Sequence, residues 1–254
     1  KGKNNKEPLI IEFDFLKAKD KEYKRLSEGI DKHISCLDGL VHVAAVLGYI
    51  SPFMSTSLGQ LKTVMEVNFE SNFLLTQLLM PQLLKARSPS VIFTSSGVGR
   101  RPRALWTSYG ISKGAVEAFM QTLADEYENN IRFCWARVFY PYGNGQNPNS
   151  LLPALENAII TNKKSFNLSS GRQIRDYIEI NQVAKIILNL ANNFQVSGIF
   201  NCGSGTPISI RELVINKKNS MKSDIQLNFN YIEERNYEPL AAWADMKKYN
   251  CLFV

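Results

Sequence analysis

Short apolar runs alternate with longer helical stretches along this 254-residue chain, and that alternation leaves few folds open. Strands are predicted near residues 8–13, 39–45, 90–95, 131–138 and 198–201. Helices are predicted over residues 18–34, 58–86, 107–128, 150–162, 181–193 and 208–217. Over 107–128, for instance, Val116, Phe119, Met120 and Leu123 recur at helical spacing and define one buried face. Alternation of this kind builds a parallel sheet with helices on both faces, an α/β doubly wound fold. Pro81 falls inside the second helix and is expected to kink or split it. Residues 142–150 are rich in Gly, Asn and Pro and read as a loop.

Composition excludes several classes of function. A hydrophobic content of 44% and a charged content of 21% are those of an ordinary globular chain. The net charge of +7 comes partly from Lys1, Lys3 and Lys6 and from Arg100, Arg101 and Arg103; no basic stripe with interleaved aromatics appears, so no nucleic-acid partner is expected. The excess positive charge suits attraction of an anionic cofactor or substrate. Cys36, Cys134, Cys202 and Cys251 lie far apart, with neither disulfide nor metal spacing, so no metal site is expected and a reducing, cytoplasmic setting is the simplest. The longest apolar stretch, residues 73–84, is broken by Thr76, Gln77, Pro81 and Gln82 and is too short to span a bilayer, so no membrane partner is expected. No signal-peptide pattern is present.

The chemistry-bearing residues are Ser96, Tyr109 and Lys113. Val91 to Phe93 form an apolar strand that runs into the serines, and Tyr109 and Lys113, four apart, share one face of the helix over 107–128. A phenol is a poor base at neutral pH because its pKa is about 10. A nearby ammonium favours phenolate and is expected to lower that value. Tyr109 then exchanges a proton with a substrate hydroxyl while the Ser96 hydroxyl holds the same oxygen. His42 reads as a packed structural histidine.

These residues carry a resemblance. Residues 8–130 resemble the short-chain dehydrogenase/reductase family through Leu37 to Ala45, Met65 to Asn68 and the serine–tyrosine–lysine set. The nearest resemblance is to single-domain bacterial oxidoreductases with the runs found here as Phe93 to Arg100 and Leu123 to Glu126. From about Ile131 to Lys248 the chain instead resembles the extended branch, the nucleotide-sugar epimerases, dehydratases and reductases. The motifs there are Ala136 to Gly143, Gln173 to Ile178, Asn201 to Pro207 with Ile210 to Leu213, and Trp243 to Asp245. The chain therefore reads as a join between two branches near residues 129–136, natural, engineered or artefactual. Residues 1–140 are expected to form a partial cofactor and catalytic region, and 141–254 the last sheet strands with a small substrate lobe.

The resemblance implies NAD or NADP as cofactor and a small-molecule substrate, a nucleotide-sugar by the second half or a smaller carbonyl or alcohol by the first. It adds Asn68 as the fourth catalytic residue beside Ser96, Tyr109 and Lys113, in a proton relay. It places Asp14, Ala44, Ala45, Tyr140 and Pro141 at the cofactor with Tyr109 and Lys113, and Arg175 at a diphosphate. It also implies pairing of two copies through the helices at 58–86 and 107–128. Taken alone, Asn68 reads as a helix-bend or capping residue and Asp14 as a turn or N-cap residue. The glycine-rich loop that receives a cofactor pyrophosphate is not found, because Gly97-Val98-Gly99, Gly143-Asn144-Gly145 and Gly203-Ser204-Gly205 read as turns. By the same resemblance, the strand at 8–13 is the third of the doubly wound order and the one at 39–45 the fourth. The sheet is then N-terminally incomplete, with an exposed edge. Two alternatives stay open: an NAD(P)-dependent oxidoreductase, and a non-catalytic remnant that keeps the residues but not the phosphate cradle.

Overall fold

The computed structural model describes residues 8–235 and 237–253. In chain order the elements are α1 (Asp20–Asp31), β1 (Gly39–His42), α2 (Leu58–Met65), a π-helical turn (Glu66–Glu70), α3 (Ser71–Leu83), β2 (Ser90–Ser96), α4 (Gly97–Arg100), α5 (Thr107–Glu126), β3 (Arg132–Val138), β4 (Tyr140–Tyr142), α6 (Leu151–Ile160), β5 (Ser165–Asn167), β6 (Ile174–Arg175), β7 (Tyr177–Glu179), α7 (Ile180–Asn192), β8 (Gly198–Cys202), β9 (Ile208–Ser209), α8 (Ile210–Ser220), β10 (Gln226–Asn228), β11 (Ala241–Ala242) and α9 (Lys247–Phe253).

The main sheet runs β1-β2-β3-β8, and every pairing in it is parallel. Its central strands β2 and β3 are buried on both faces and alternate between two cores. Phe93, Phe133 and Trp135 pack with Val116, Met120 and Leu123 of α5 and Leu83 of α3. Ile92, Cys134 and Ala136 pack with Val183, Ile186 and Leu190 of α7 on the other face. Trp135, Phe93 and Phe133 are almost completely buried, and side chains of this size contribute about 1.5–3 kcal/mol each through burial. A third, smaller core of Leu155, Ala158, Leu168, Val214 and Ile225 gathers α6, α8 and the β5–β10 pair into a lobe beside the sheet. The fold is thus α/β and Rossmann-like, with helices on both faces of a parallel sheet. The junction expected at 129–136 falls at the start of β3, which pairs with β2 on one side and β8 on the other.

Three local expectations need correction. Residues 8–13 form no strand, and Leu9, Ile10 and Ile11 are exposed. An apolar run becomes a strand only with a partner, and among the described residues β1, the edge of the sheet, pairs with β2 alone. The strand expected over 39–45 stops at His42, leaving Ala44 and Ala45 in an exposed segment. The helix over 58–86 is interrupted not at Pro81 but at the π-helical turn. Pro81 lies in the last turn of α3, and the helix runs through it to Leu83.

A buried carboxylate fastens the turn through which the chain passes from β8 towards α8 of the lobe. Asp176, between β6 and β7, is fully buried. One oxygen accepts from the Ser204 N–H at 2.8 Å and the Ser204 hydroxyl at 2.6 Å; the other accepts from the N–H groups of Gly205 and Ala244, each at 3.0 Å. Glycine is required next door, because a Cβ at position 203 would lie 2.5 Å from the Ala244 Cβ and 2.7 Å from the Asp176 carboxylate. Asp176→Ala strands these donors and is expected to lower stability by about 3 kcal/mol. Gly203→Ala overpacks the same spot and is expected to cost about 1–3 kcal/mol. Urea unfolding midpoints measure both; an unchanged midpoint for Asp176→Ala would contradict the fastening role.

Candidate active site

Ser96 ends β2 at the carboxyl edge of the sheet and caps α4, its hydroxyl accepting from the Val98 N–H at 3.4 Å. Tyr109 and Lys113 project from one face of α5, one turn apart. Gly99 lets α4 lie directly on that helix: a Cβ there would come within 3.2 Å of the Lys113 backbone. The structure therefore brings Ser96, Tyr109 and Lys113 together. Burial raises the Tyr109 pKa above its ordinary value of 10.0, and a hydrogen bond with Ser96 pulls it partly back. That direction is opposite to the sequence expectation. The Lys113 ammonium donates to the Thr94 carbonyl at 3.1 Å and lies 5.8 Å from the centre of the Tyr109 ring, so burial outweighs it. Lys113 is itself almost fully buried, and desolvation brings it down to about 8.

Asn68 lies in the middle of the π-helical turn and is fully buried. Its amide clamps the segment after β1: Oδ1 accepts from the Val46 N–H at 2.8 Å, and Nδ2 donates to the Val46 carbonyl at 2.9 Å and to the Ser112 hydroxyl at 3.0 Å. It thereby ties the loop holding Ala44 and Ala45 to α5. A π-turn at such a point is a recurrent device of functional sites. Asp14 is not gathered in. Its contacts are with its own turn, to the Leu16 N–H at 3.0 Å and the Lys17 ammonium at 3.2 Å. His42 packs inside, stacked on Phe93 and bonded to Thr76 at 2.9 Å, and burial holds it down to about 4.

A cleft of about 1530 Å³ opens between the sheet edge and the lobe. Ser96, Tyr140, Pro141 and Arg175 line it, as do Arg100, Arg101, Arg103, Arg137 and Arg235. Tyr109 and Lys113 stand outside that lining and join it through Ser96 and through Trp106, whose ring meets Tyr109 edge-on at 5.9 Å. Arg175 is almost fully buried beside the Tyr140 ring, and Glu238 bonds both Arg175 and Arg235 at 3.1 Å. Arg103 reaches the Tyr140 hydroxyl at 3.4 Å. Arg137 is buried against Glu117, with Nε and Nη2 lacking a hydrogen-bond partner among the described residues. Arg103, Trp106, Arg137, Arg235 and Glu238 escaped the sequence reading, since only tertiary folding sets them around one cavity. The run of arginines at 100–103 was the one available signal.

The family model described as short chain dehydrogenase matches residues 2–136. The chain belongs to the short-chain dehydrogenase family. The oxidoreductase YciK of Escherichia coli is 39% identical over 127 residues, half of each chain. CDP-abequose synthase of Salmonella typhimurium is 24% identical over 221 residues, 84% of this chain and 69% of that one. A short chain dehydrogenase from Shigella flexneri complexed with NADP has a TM-score of 0.61 at 27% identity, covering 75% of this chain and 73% of that one. The chain spans about half the length of the first curated relatives it matches. The match with CDP-abequose synthase is long enough that it must run across residues 129–136. Among the described residues no helix is long and apolar enough to cross a membrane.

Lys113 makes a checkable pH signature. Its ordinary value is 10.5 and its folded value about 8, so between those pH values the unfolded chain holds the extra proton. Stability from this group is complete above pH 10.5 and is lost as pH falls towards about 8. Lys113→Met is expected to melt higher than the unaltered chain at pH 7, with the gap closing by pH 10. Melting temperatures across that range decide it; a gap that does not narrow contradicts the burial argument.

Proposed function

We propose that this chain is an NAD(P)-dependent oxidoreductase acting on the alcohol or carbonyl of an anionic substrate, a nucleoside diphosphate sugar. The observation that carries the reading is the arginine-lined cleft in which Arg175 and Arg235 converge on Glu238 while Ser96 opens at the other side. Guanidinium forks suit phosphates, which accept two parallel N–H bonds. The relation to CDP-abequose synthase, named for a cytidine diphosphate sugar, supports the same substrate class.

The site fits the nicotinamide end of the cofactor. Tyr140 and Pro141 flank the cleft, Lys113 and Tyr109 stand behind Ser96, and Asn68 holds the loop with Ala44 and Ala45. When bound, the nicotinamide supplies or takes the hydride. The Ser96 hydroxyl holds the substrate oxygen, and Tyr109 gives or takes its proton. Lys113 stabilises the phenolate and holds the nicotinamide ribose, and Asn68 keeps α5 and the Val46 segment in register. Arg175 and Arg235 take the substrate diphosphate in exchange for Glu238. The free thiols support a reducing, cytoplasmic setting, and exposed Phe73 and Ile111 support pairing through α3 and α5.

One observation favours a second reading, a chain that keeps the site without turning over. Among the described residues the glycine pairs are largely committed to packing: Gly99 lies in α4 against Lys113 of α5, the Gly205 N–H is taken by Asp176, and a side chain at Gly143 would meet Ile180 at 2.8 Å, while Gly97 and Gly145 face open space. Calorimetric titration separates the two. Saturable binding of NADH or NADPH, weakened in Lys113→Ala, is expected of the enzyme; no binding to the folded chain favours the remnant. For the substrate, CDP-glucose and dTDP-glucose are the probes, and Arg175→Met is expected to weaken them by at least about tenfold. Equal affinity in the variant sinks the nucleotide-sugar assignment.

A further inference from the structure

Two unfavourable local features meet at one side chain of the cleft. Leu105 has φ of 71°, in the left-handed region that a bulky side chain rarely adopts. Its carbonyl accepts from the Ser51 N–H at 3.1 Å, so the segment after β1 holds it there. The next residue, Trp106, has an indole N–H that is buried without a hydrogen-bond partner among the described residues. Each feature costs free energy, and strain of this kind persists where a site requires a particular side-chain direction.

What the strain achieves is a position. Trp106 is half-buried at the start of α5, on the cleft wall, with the Arg103 guanidinium 5.7 Å from its ring. Tyr109 is not on that wall, and the indole stands edge-on to it at 5.9 Å. We propose that Trp106 is the specificity-determining residue of this site, a screen between Tyr109 and the cleft that sets the size of the group admitted to the phenol. Ser96 remains the open approach to Tyr109, and Trp106 narrows it from the side. A slim carbonyl or one face of a sugar ring passes; a bulky fused ring does not. The inference rests on the oxidoreductase reading for its catalytic half only.

The test has two arms, each using the whole chain. The first asks whether the indole covers Tyr109. Burial is what raises this phenol, with Ser96 and Lys113 as its polar neighbours. In tyrosine-labelled NMR titrations, assigned by difference from Tyr109→Phe, Trp106→Ala is expected to move the Tyr109 ionisation down towards its ordinary value, and Trp106→Phe less so. An unchanged ionisation overturns the proposal. The second arm compares NADPH-dependent reduction of 2,3-butanedione and of 9,10-phenanthrenequinone. Trp106→Ala is expected to raise the bulky-to-small ratio of kcat/KM by about tenfold, the range one side-chain-sized difference in a pocket commands. A parallel fall for both probes marks a merely structural residue and overturns it. An unmasked Tyr109 with no turnover by either protein upholds the screen and counts against the oxidoreductase reading instead.

Discussion

One buried carboxylate fixes the turn through which the chain passes from the sheet towards the lobe. The sheet and the lobe have separate apolar cores, and apolar packing alone is non-directional. Asp176 supplies the direction. Its oxygens gather the turn that follows β8 and the Ala244 backbone onto the connection between β6 and β7. Arg175 is the preceding residue, so the charge that most shapes the cleft is held by the same hydrogen bonds that hold the architecture. A side chain at Gly203 would intrude on that contact, which is why the turn has no alternative residue.

The electrostatics of the site follow from burial more than from pairing. Lys113 and Tyr109 both sit where charge is disfavoured, and each moves towards its neutral form. Lys113 sends its protons to the Thr94 backbone, a neutral acceptor, and so remains available to respond to whatever enters beside it. The cleft differs in kind. There Glu238 already compensates two guanidiniums, while Arg137 has Glu117 only at 4.0 Å. The wall is cationic but not uniformly hungry for anions, and a ligand has to compete with a resident carboxylate.

The periodicities in the sequence located the long helices and the four strands of the main sheet because they report local geometry, while the short strands β4–β7 and β9–β11 escaped them. The face formed by Val116, Met120 and Leu123 needs no partner to be recognised, and neither does the spacing of Tyr109 and Lys113. Residues 8–13 failed for the complementary reason: a run of Leu, Ile and Phe has strand character, but pairing is decided elsewhere in the chain. The interruption at Asn68 was legible only as the reading of that asparagine as a helix-bend or capping residue, because the amide's bonds to Val46 and Ser112 reach groups distant in sequence. The direction of the Tyr109 shift was missed because it depends on how far folding buries the phenol, which the spacing of Tyr109 and Lys113 does not report. Trp106 and Glu238 look unremarkable in sequence; loop paths bring them to the cleft.

The placement of β3 has a consequence for how this sheet tolerates change in its sequence. Seven of its residues are in register with β2 and five with β8, and those ladders consist of backbone groups. Backbone ladders are indifferent to side-chain identity, so a central strand accepts neighbours of varied sequence provided its two faces stay distinct. Phe133 and Trp135 answer to α5, and Cys134 and Ala136 to α7. A substitution along this strand therefore has to satisfy a pattern of alternating volumes.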